Sequence, residues 1–393
     1  MSDDHDADPG RAHGRSARRR ASTSPGLEVG GTEAVGSLLR RGAKSALARW
    51  VLHKQRQRRD PSAPPWPSPK DEATHTWDGR RHFAEDYTFG AAQPGLALVT
   101  RLEWLPGRGA HRIWMTILRE GRAWCLPGGQ LIRREGEGDR WRAGGMVVDC
   151  RTPLRQWNVR YRGRLAEVAP GMVDPDVDAQ DGPRCSIDLT FDATSAAFAP
   201  GRDDAPALLA QRLAEATWDA KLLASVRRVQ NRGYVQVGDV AGTVSIGAEI
   251  IPLRAAGWRQ HAWGVLDWGG PDDAFQCFWR DRAGASTWVH RARFPFVTLE
   301  GGFVDRQVAG AGAGRELVRG IAATFERRPE RAPARVTLGI RAPDNRDTEV
   351  TILSDVTFGV DGRGVVELGL VHTGDGGVGI WGGQRRSLPR PSP

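Results

Sequence analysis

From Trp77 onward the hydrophobic positions of the chain recur at every second residue. Leu96, Leu98, Leu102 and Trp104 alternate with polar or small neighbours, as do Ile113, Met115 and Ile117. Trp157, Val159 and Tyr161 alternate with Asn158, Arg160 and Arg162, and Ile187, Leu189 and Phe191 repeat the pattern. A period of two is that of a strand with one buried face. Turns such as Pro106-Gly107 and Pro127-Gly128-Gly129 keep each run short, so the pattern predicts a meandering antiparallel sheet. Residues 205–230 break it, with Leu208, Leu209, Leu213, Leu222, Leu223 and Val226 on one side of a predicted connecting helix. Strand runs resume at Val244 and Ile246, then at Val336, Leu338 and Ile340, at Val356, Phe358 and Val360, and at Val366, Leu368 and Leu370. The stretch 301–335 is strand-poor and reads as a long loop with a short helix around residues 316–325.

Before Trp77 the pattern differs. Residues 1–33 are rich in Ser, Arg, Gly and Asp and hold too little apolar surface to fold. Over 33–54 a helical period places Val35, Leu38, Leu39, Ala46, Leu47 and Trp50 on one face, with Arg40, Arg41, Lys44, Arg49 and Lys54 elsewhere. Two readings stand: a basic helix contacting an anionic membrane surface or a protein partner, or a terminal helix docked on its own barrel. A proline-rich linker follows, from Pro61 to Pro69. The predicted organisation is therefore a disordered basic head over 1–75, a β domain over 76–204, a connecting helix over 205–230, a second β domain over 231–383 and a disordered tail over 384–393.

Charge changes this picture little. The 393 residues carry a formal net charge of +9, most of it in the head, so no single folded element concentrates the basic charge that nucleic acid needs. The four cysteines form no C-x-x-C pair, which points to neither a zinc site nor a disulfide framework. No apolar run follows the acidic start and none is long enough to span a membrane, so the expected location is cytoplasmic. Asp174, Asp176 and Asp178 resemble the start of a calcium loop, but Ala179 and Cys185 stand where that loop needs Gly and Glu. Gly310 to Gly314 lacks the Lys of a phosphate loop. No metal and no cofactor is indicated. Fifteen Trp against three Tyr is an unusual balance and suggests aromatic cavity walls.

One segment concentrates chemistry. Gly257-Trp-Arg-Gln-His261-Ala-Trp263-Gly-Val-Leu-Asp267-Trp268 follows a strand run. As a strand it would place Arg259, His261, Trp263 and Asp267 on one face. Such a face suits the polar end of an apolar barrel cavity; it equally suits a structural corner in which Arg259 pairs with Asp267 and the His is hydrogen-bonded.

This segment, with Tyr234-Val-Gln-Val-Gly before it, resembles the C-terminal domain of a tandem-lipocalin superfamily. That superfamily holds hydroxyneurosporene synthase (carotenoid hydratase), AttH-like proteins and many actinobacterial members, whose usual string reads R-D-H-S-W-G-x-R-D-W. Trp77, Tyr87-x-Phe89-Gly90, Leu102-Glu-Trp104 and Trp157-Asn-Val-Arg-Tyr161 agree in order and spacing with the N-terminal half. Gln260, Ala262 and Leu266 depart from the string, and Trp288-Val-His290 stands where the hydratases carry Tyr-x-Asp. The resemblance implies a mainly β fold of two lipocalin-like antiparallel barrels in tandem. It implies binding of an apolar small molecule of terpenoid, carotenoid or polyketide type, with cofactor-free hydration, cyclisation or isomerisation as the candidate chemistry. His261 would exchange the proton, Asp267 orient it and Arg259 set the charge, while Trp157, Tyr161, Trp258, Trp263, Trp268, Trp288 and His290 line the cavity. The alternative is a non-enzymatic carrier or accessory protein anchored through its basic head.

Overall fold

The computed structural model describes residues 42–50 and 66–386, less residues 120, 127–128, 134–140, 174–176, 217, 219–231, 266–270, 309–311, 330, 344 and 363. Two antiparallel sheets account for most of them, as the two-residue period requires. The first has twelve strands. Its longer members are β1 (Phe83–Gln93), β2 (Leu96–Leu105), β3 (Ala110–Arg119), β4 (Met146–Thr152), β5 (Gln156–Arg164), β6 (Arg184–Ala193), β7 (Arg232–Ile246) and β8 (Glu249–Val265). They lie in the order β4-β5-β6-β7-β8-β1-β2-β3, and short ribbons at Arg122–Cys125, Gln130–Arg133, Arg142–Ala143 and Ala166–Val168 complete the edges.

The second sheet has ten strands. These are β9 (Asp273–Arg280), β10 (Ser286–Arg293), β11 (Thr298–Val308), β12 (Gly312–Leu317), β13 (Gly320–Glu326), β14 (Arg335–Arg341), β15 (Arg346–Val360), β16 (Gly364–Thr373) and β17 (Val378–Arg386), with Gly171–Met172 pairing in parallel on β15. Their order is β12-β11-β10-β9-β17-β16-β15-β14-β13.

Each sheet curls around a core of its own. Tyr87, Phe89, Leu98, Ile113, Trp157 and Leu189 pack inside the first. Trp279, Val289, Val336, Leu338, Val350 and Trp381 pack inside the second. The outer faces then meet back to back: Val99 and Trp114 of the first sheet pack against Phe358, Leu368 and Ile380 of the second. Strands β1 to β3 are therefore buried on both faces almost throughout. The architecture is two curled antiparallel half-barrels: the periodicity predicted the antiparallel sheet, and the resemblance implied its division in two.

Several boundaries fall elsewhere than predicted. Strands β7 and β8 belong to the first sheet, because β8 pairs along its length with β1, from Phe83↔Val265 to Ala92↔Ala256. The chain thus leaves the first half only after residue 265, not at 231, and no periodicity signal could reveal a pairing so distant in sequence. In the expected connector, helix α1 spans Pro206–Glu215; residues 219–231 lie outside the described residues. The stretch 301–335 holds β11, β12 and β13 instead of a loop and helix, its Gly-rich composition having hidden the alternation. Residues 384–386, expected in a disordered tail, are paired in β17, through Gly364↔Arg386 and its neighbours. Residues 1–41, 51–65 and 387–393 lie outside the described residues.

Residues 42–50, within the expected amphipathic helix, are helical. Lys44 Nζ donates to the Ala216 carbonyl at 3.2 Å and Ala48 is buried, while Leu47 and Trp50 are exposed. Among the described residues no helix is long and apolar enough to cross a membrane.

Candidate functional site

Strand β8 lies centrally in the first sheet, between β7 and β1. Alternation sends Trp258, Gln260 and Ala262 to the outer face of that sheet, toward β9 and β10. The two sheets do not close completely there. They leave a cavity of about 420 Å³ whose apolar wall includes Trp114, Trp258, Phe278, Trp288, Leu368 and Ile380. This volume falls within the ~300–1,000 Å³ typical of small-molecule sites. Gly90, which pairs with Trp258, makes room for the indole: a Cβ there would lie 2.4 Å from Trp258 Nε1.

Among the polar groups on the wall, a carboxylate and an imidazole bear on proton chemistry. On the first sheet, the Asp86 carboxylate accepts from Thr88 Oγ1 at 2.9 Å and from Arg101 Nη2 at 3.0 Å. Burial pushes the Asp86 carboxyl up to about 6, and the Arg101 charge only partly offsets it. Arg101 also donates to Glu103 at 3.0 Å. The alternating charges continue through Arg112, 3.6 Å from Glu103, to Asp361 in the β15–β16 turn, 2.7 Å from Arg112.

On the second sheet, His290 Nε2 sits 3.3 Å from both carboxylate oxygens of Asp204, and Asp204 is only 1% exposed. His290 pairs in register with Gly301. A Cβ on Gly301 would lie 1.7 Å from Asp204 Oδ1, so the bare glycine is what admits the carboxylate. A carboxylate on Nε2 holds the proton there and leaves Nδ1 as an acceptor, the arrangement of a general base. Among the described residues Nδ1 has no hydrogen-bond partner.

The other face of β8 carries Arg259, His261 and Trp263 into the first half-barrel, where residues 66–75 cross its end as a strap. Arg259, fully buried, is paired with Glu72 of the strap and with Gln236. His261, also fully buried, stacks on Tyr87 at 4.0 Å; its Nε2 lies 3.0 Å from Glu85 Oε1 and its Nδ1 3.2 Å from the Tyr234 hydroxyl. Burial lowers the His261 pKa, with Glu85 pulling the other way. His75 of the strap stacks on Trp263 at 3.8 Å and 11°.

The expected site residues thus divide. Trp258, Trp288 and His290 come together at the cavity. Arg259, His261 and Trp263 face the strap instead, and Arg259 takes Glu72 as its partner. Trp157 and Tyr161 lie in the first core, Tyr161 donating to the Arg164 carbonyl at 3.1 Å. Asp267 and Trp268 lie outside the described residues. Sequence reasoning missed Asp86, Arg101, Asp204 and Gly301. One signal was available: Glu85 and Asp86 are adjacent carboxylates at the head of an apolar strand, and adjacency sends one to each face.

A family model described as a domain of unknown function (DUF7064) matches residues 68–377. No curated protein matches the chain. Among solved structures, an AttH-like protein of Nitrosomonas europaea is similar at 12% identity and a TM-score of 0.44, over 84% of this chain and 99% of that one. Kievitone hydratase from Nectria haematococca is similar at 11% identity and a TM-score of 0.43, over 78% and 89%. CghA, solved with Sch210972, is similar at 12% identity and a TM-score of 0.42, over 77% and 88%.

Proposed function

The chain belongs to the DUF7064 family, and we propose that it binds a small, largely apolar molecule between its two sheets and performs acid–base chemistry on it. The observation that carries this reading is the aromatic cavity into which the His290–Asp204 pair is built. Trp114, Trp258 and Trp288 supply apolar contact area, and Gln260 and Gln276 offer a few orienting polar groups on the same wall. A terpenoid- or polyketide-sized ligand suits the volume; a full-length carotenoid would extend beyond it. In hydration, cyclisation or isomerisation, His290 Nδ1 would take or return a proton at substrate carbon or water, Asp204 steadying the ring. Asp86 would act across the cavity wall as the second proton carrier, with Arg101 beside it.

Deuterium exchange tests this. The protein is incubated in D2O with a panel of terpenoid and polyketide olefins, and mass spectrometry reads deuterium gained at carbon. Binding is followed separately by quenching of tryptophan fluorescence with anilinonaphthalene sulfonate. The expected result is exchange with at least one olefin, lost in His290→Ala and in Asp86→Asn while probe binding persists. Probe binding without exchange would leave a carrier; no probe binding would overturn the reading.

A further inference from the structure

The strap and the first half-barrel meet at a cluster that the cavity chemistry does not use. Glu85 Oε1 lies 2.9 Å from His75 Nδ1 and 3.0 Å from His261 Nε2. All three donor atoms fall within 4.8 Å of one another. Glu85 and His261 are wholly buried, and His75 is partly so. Among the described residues, the side-chain partners of Glu85 are these two imidazoles alone. Arg259, two residues before His261 on the same strand, is paired with Glu72. The cluster brings one buried carboxylate and two imidazole nitrogens together with no fixed cation among them. It is the donor set of a divalent transition ion.

We propose that His75, Glu85 and His261 bind a divalent transition cation, Zn²⁺ by ligand chemistry, which fastens the 66–75 strap across the end of the first half-barrel. Ligand atoms held at ~2.0–2.2 Å from a tetrahedral ion stand roughly 3.3–3.6 Å apart, a few tenths of an ångström beyond the 2.9 and 3.0 Å between Glu85 and the two imidazoles. Each ligand is also held from behind. The His75 amide donates to Glu85 Oε2 at 2.9 Å, and the His75 ring is stacked on Trp263. The Tyr234 hydroxyl faces the far nitrogen of His261, where its oxygen accepts a hydrogen bond from Nδ1–H once Nε2 holds the metal, an outer contact that fixes the tautomer. This site lies on the opposite face of β8 from the cavity and does not depend on the function proposed for it.

The test uses full-length protein dialysed against a chelator and then titrated with ZnCl2. Calorimetry should show one tight equivalent and thermal unfolding should move to higher temperature. Co²⁺ should give the visible bands of a low-coordinate nitrogen–oxygen site, distinct from the aquo ion. His75→Ala, at a partly exposed strap position, should keep the fold by circular dichroism and weaken Zn²⁺ roughly a hundredfold or more. Glu85→Gln should do the same. A wild-type protein that takes up no equivalent would overturn the proposal. So would variants that bind as well as wild type, since the ion would then sit elsewhere.

Discussion

Gly301 illustrates how much a single missing methyl group can set. It sits opposite His290 in the β10–β11 register, and the absent Cβ is occupied by the Asp204 carboxylate. Gly301→Ala is expected to push Asp204 off the imidazole and to cost about 1–3 kcal/mol of stability through overpacking. Long-range ¹H–¹⁵N spectra read the result directly. In wild type the His290 ring should carry its proton on Nε2 alone, and in the variant the two tautomers should mix. An unchanged spectrum would show that Asp204 does not set the tautomer. Neither Asp204 nor Gly301 could be picked out of the sequence, since the pair is made by a turn and a strand about a hundred residues apart.

At the scale of the element, β8 serves two environments at once. Its alternation was legible: Trp258 and Trp263 differ by an odd number of positions and do lie on opposite faces. Which face belonged to which environment was not legible, because that depends on β1, β10 and the strap, none of which is close in sequence. The concentration of His, Arg and Trp drew attention to the inner face, whose polar residues prove to be satisfied by Glu72, Glu85, Gln236 and Tyr234. The outer face carries Trp258, Gln260 and Ala262, of which Trp258 alone was singled out. A pair of substitutions separates the roles. Trp258→Leu should weaken anilinonaphthalene sulfonate binding with little change in melting temperature. Trp263→Leu, which removes the stacking on His75, should cost about 1–3 kcal/mol and leave probe binding near wild type. The reverse outcome would exchange the two faces.

Over the whole molecule, the two half-barrels are joined by apolar packing and by a pin of charge. Asp361, in a turn of the second sheet, accepts from Arg108 at 2.9 Å and from Arg112 at 2.7 Å, both on the first. Burial acts to raise the Asp361 pKa, but the two guanidinium hydrogen bonds outweigh it and hold the carboxyl below the usual carboxylate range. A lowered folded-state pKa contributes stability that is fully present above the unfolded value of ~3.9 and is lost as pH falls through the folded value. Asp361→Asn tolerates the positive φ of 54° at this position while removing the charge. It should cost about 1–3 kcal/mol at pH 7. In acid the gap between variant and wild type should narrow, as urea titrations across that range would show. A gap independent of pH would remove the pin.

The pairing of β1 with β8 also bears on how the chain is made. Synthesis proceeds from the amino end at about 5–20 residues per second, so β1 waits on the order of ten seconds or more before its neighbour leaves the ribosome. Until then one long, apolar strand edge has no partner, and such edges invite pairing with other chains. Contacts this far apart in sequence also close slowly once the chain is complete. The same pairing that sets β8 between the cavity and the strap therefore leaves the nascent first half open to wrong partners until residue 265 has cleared the ribosome.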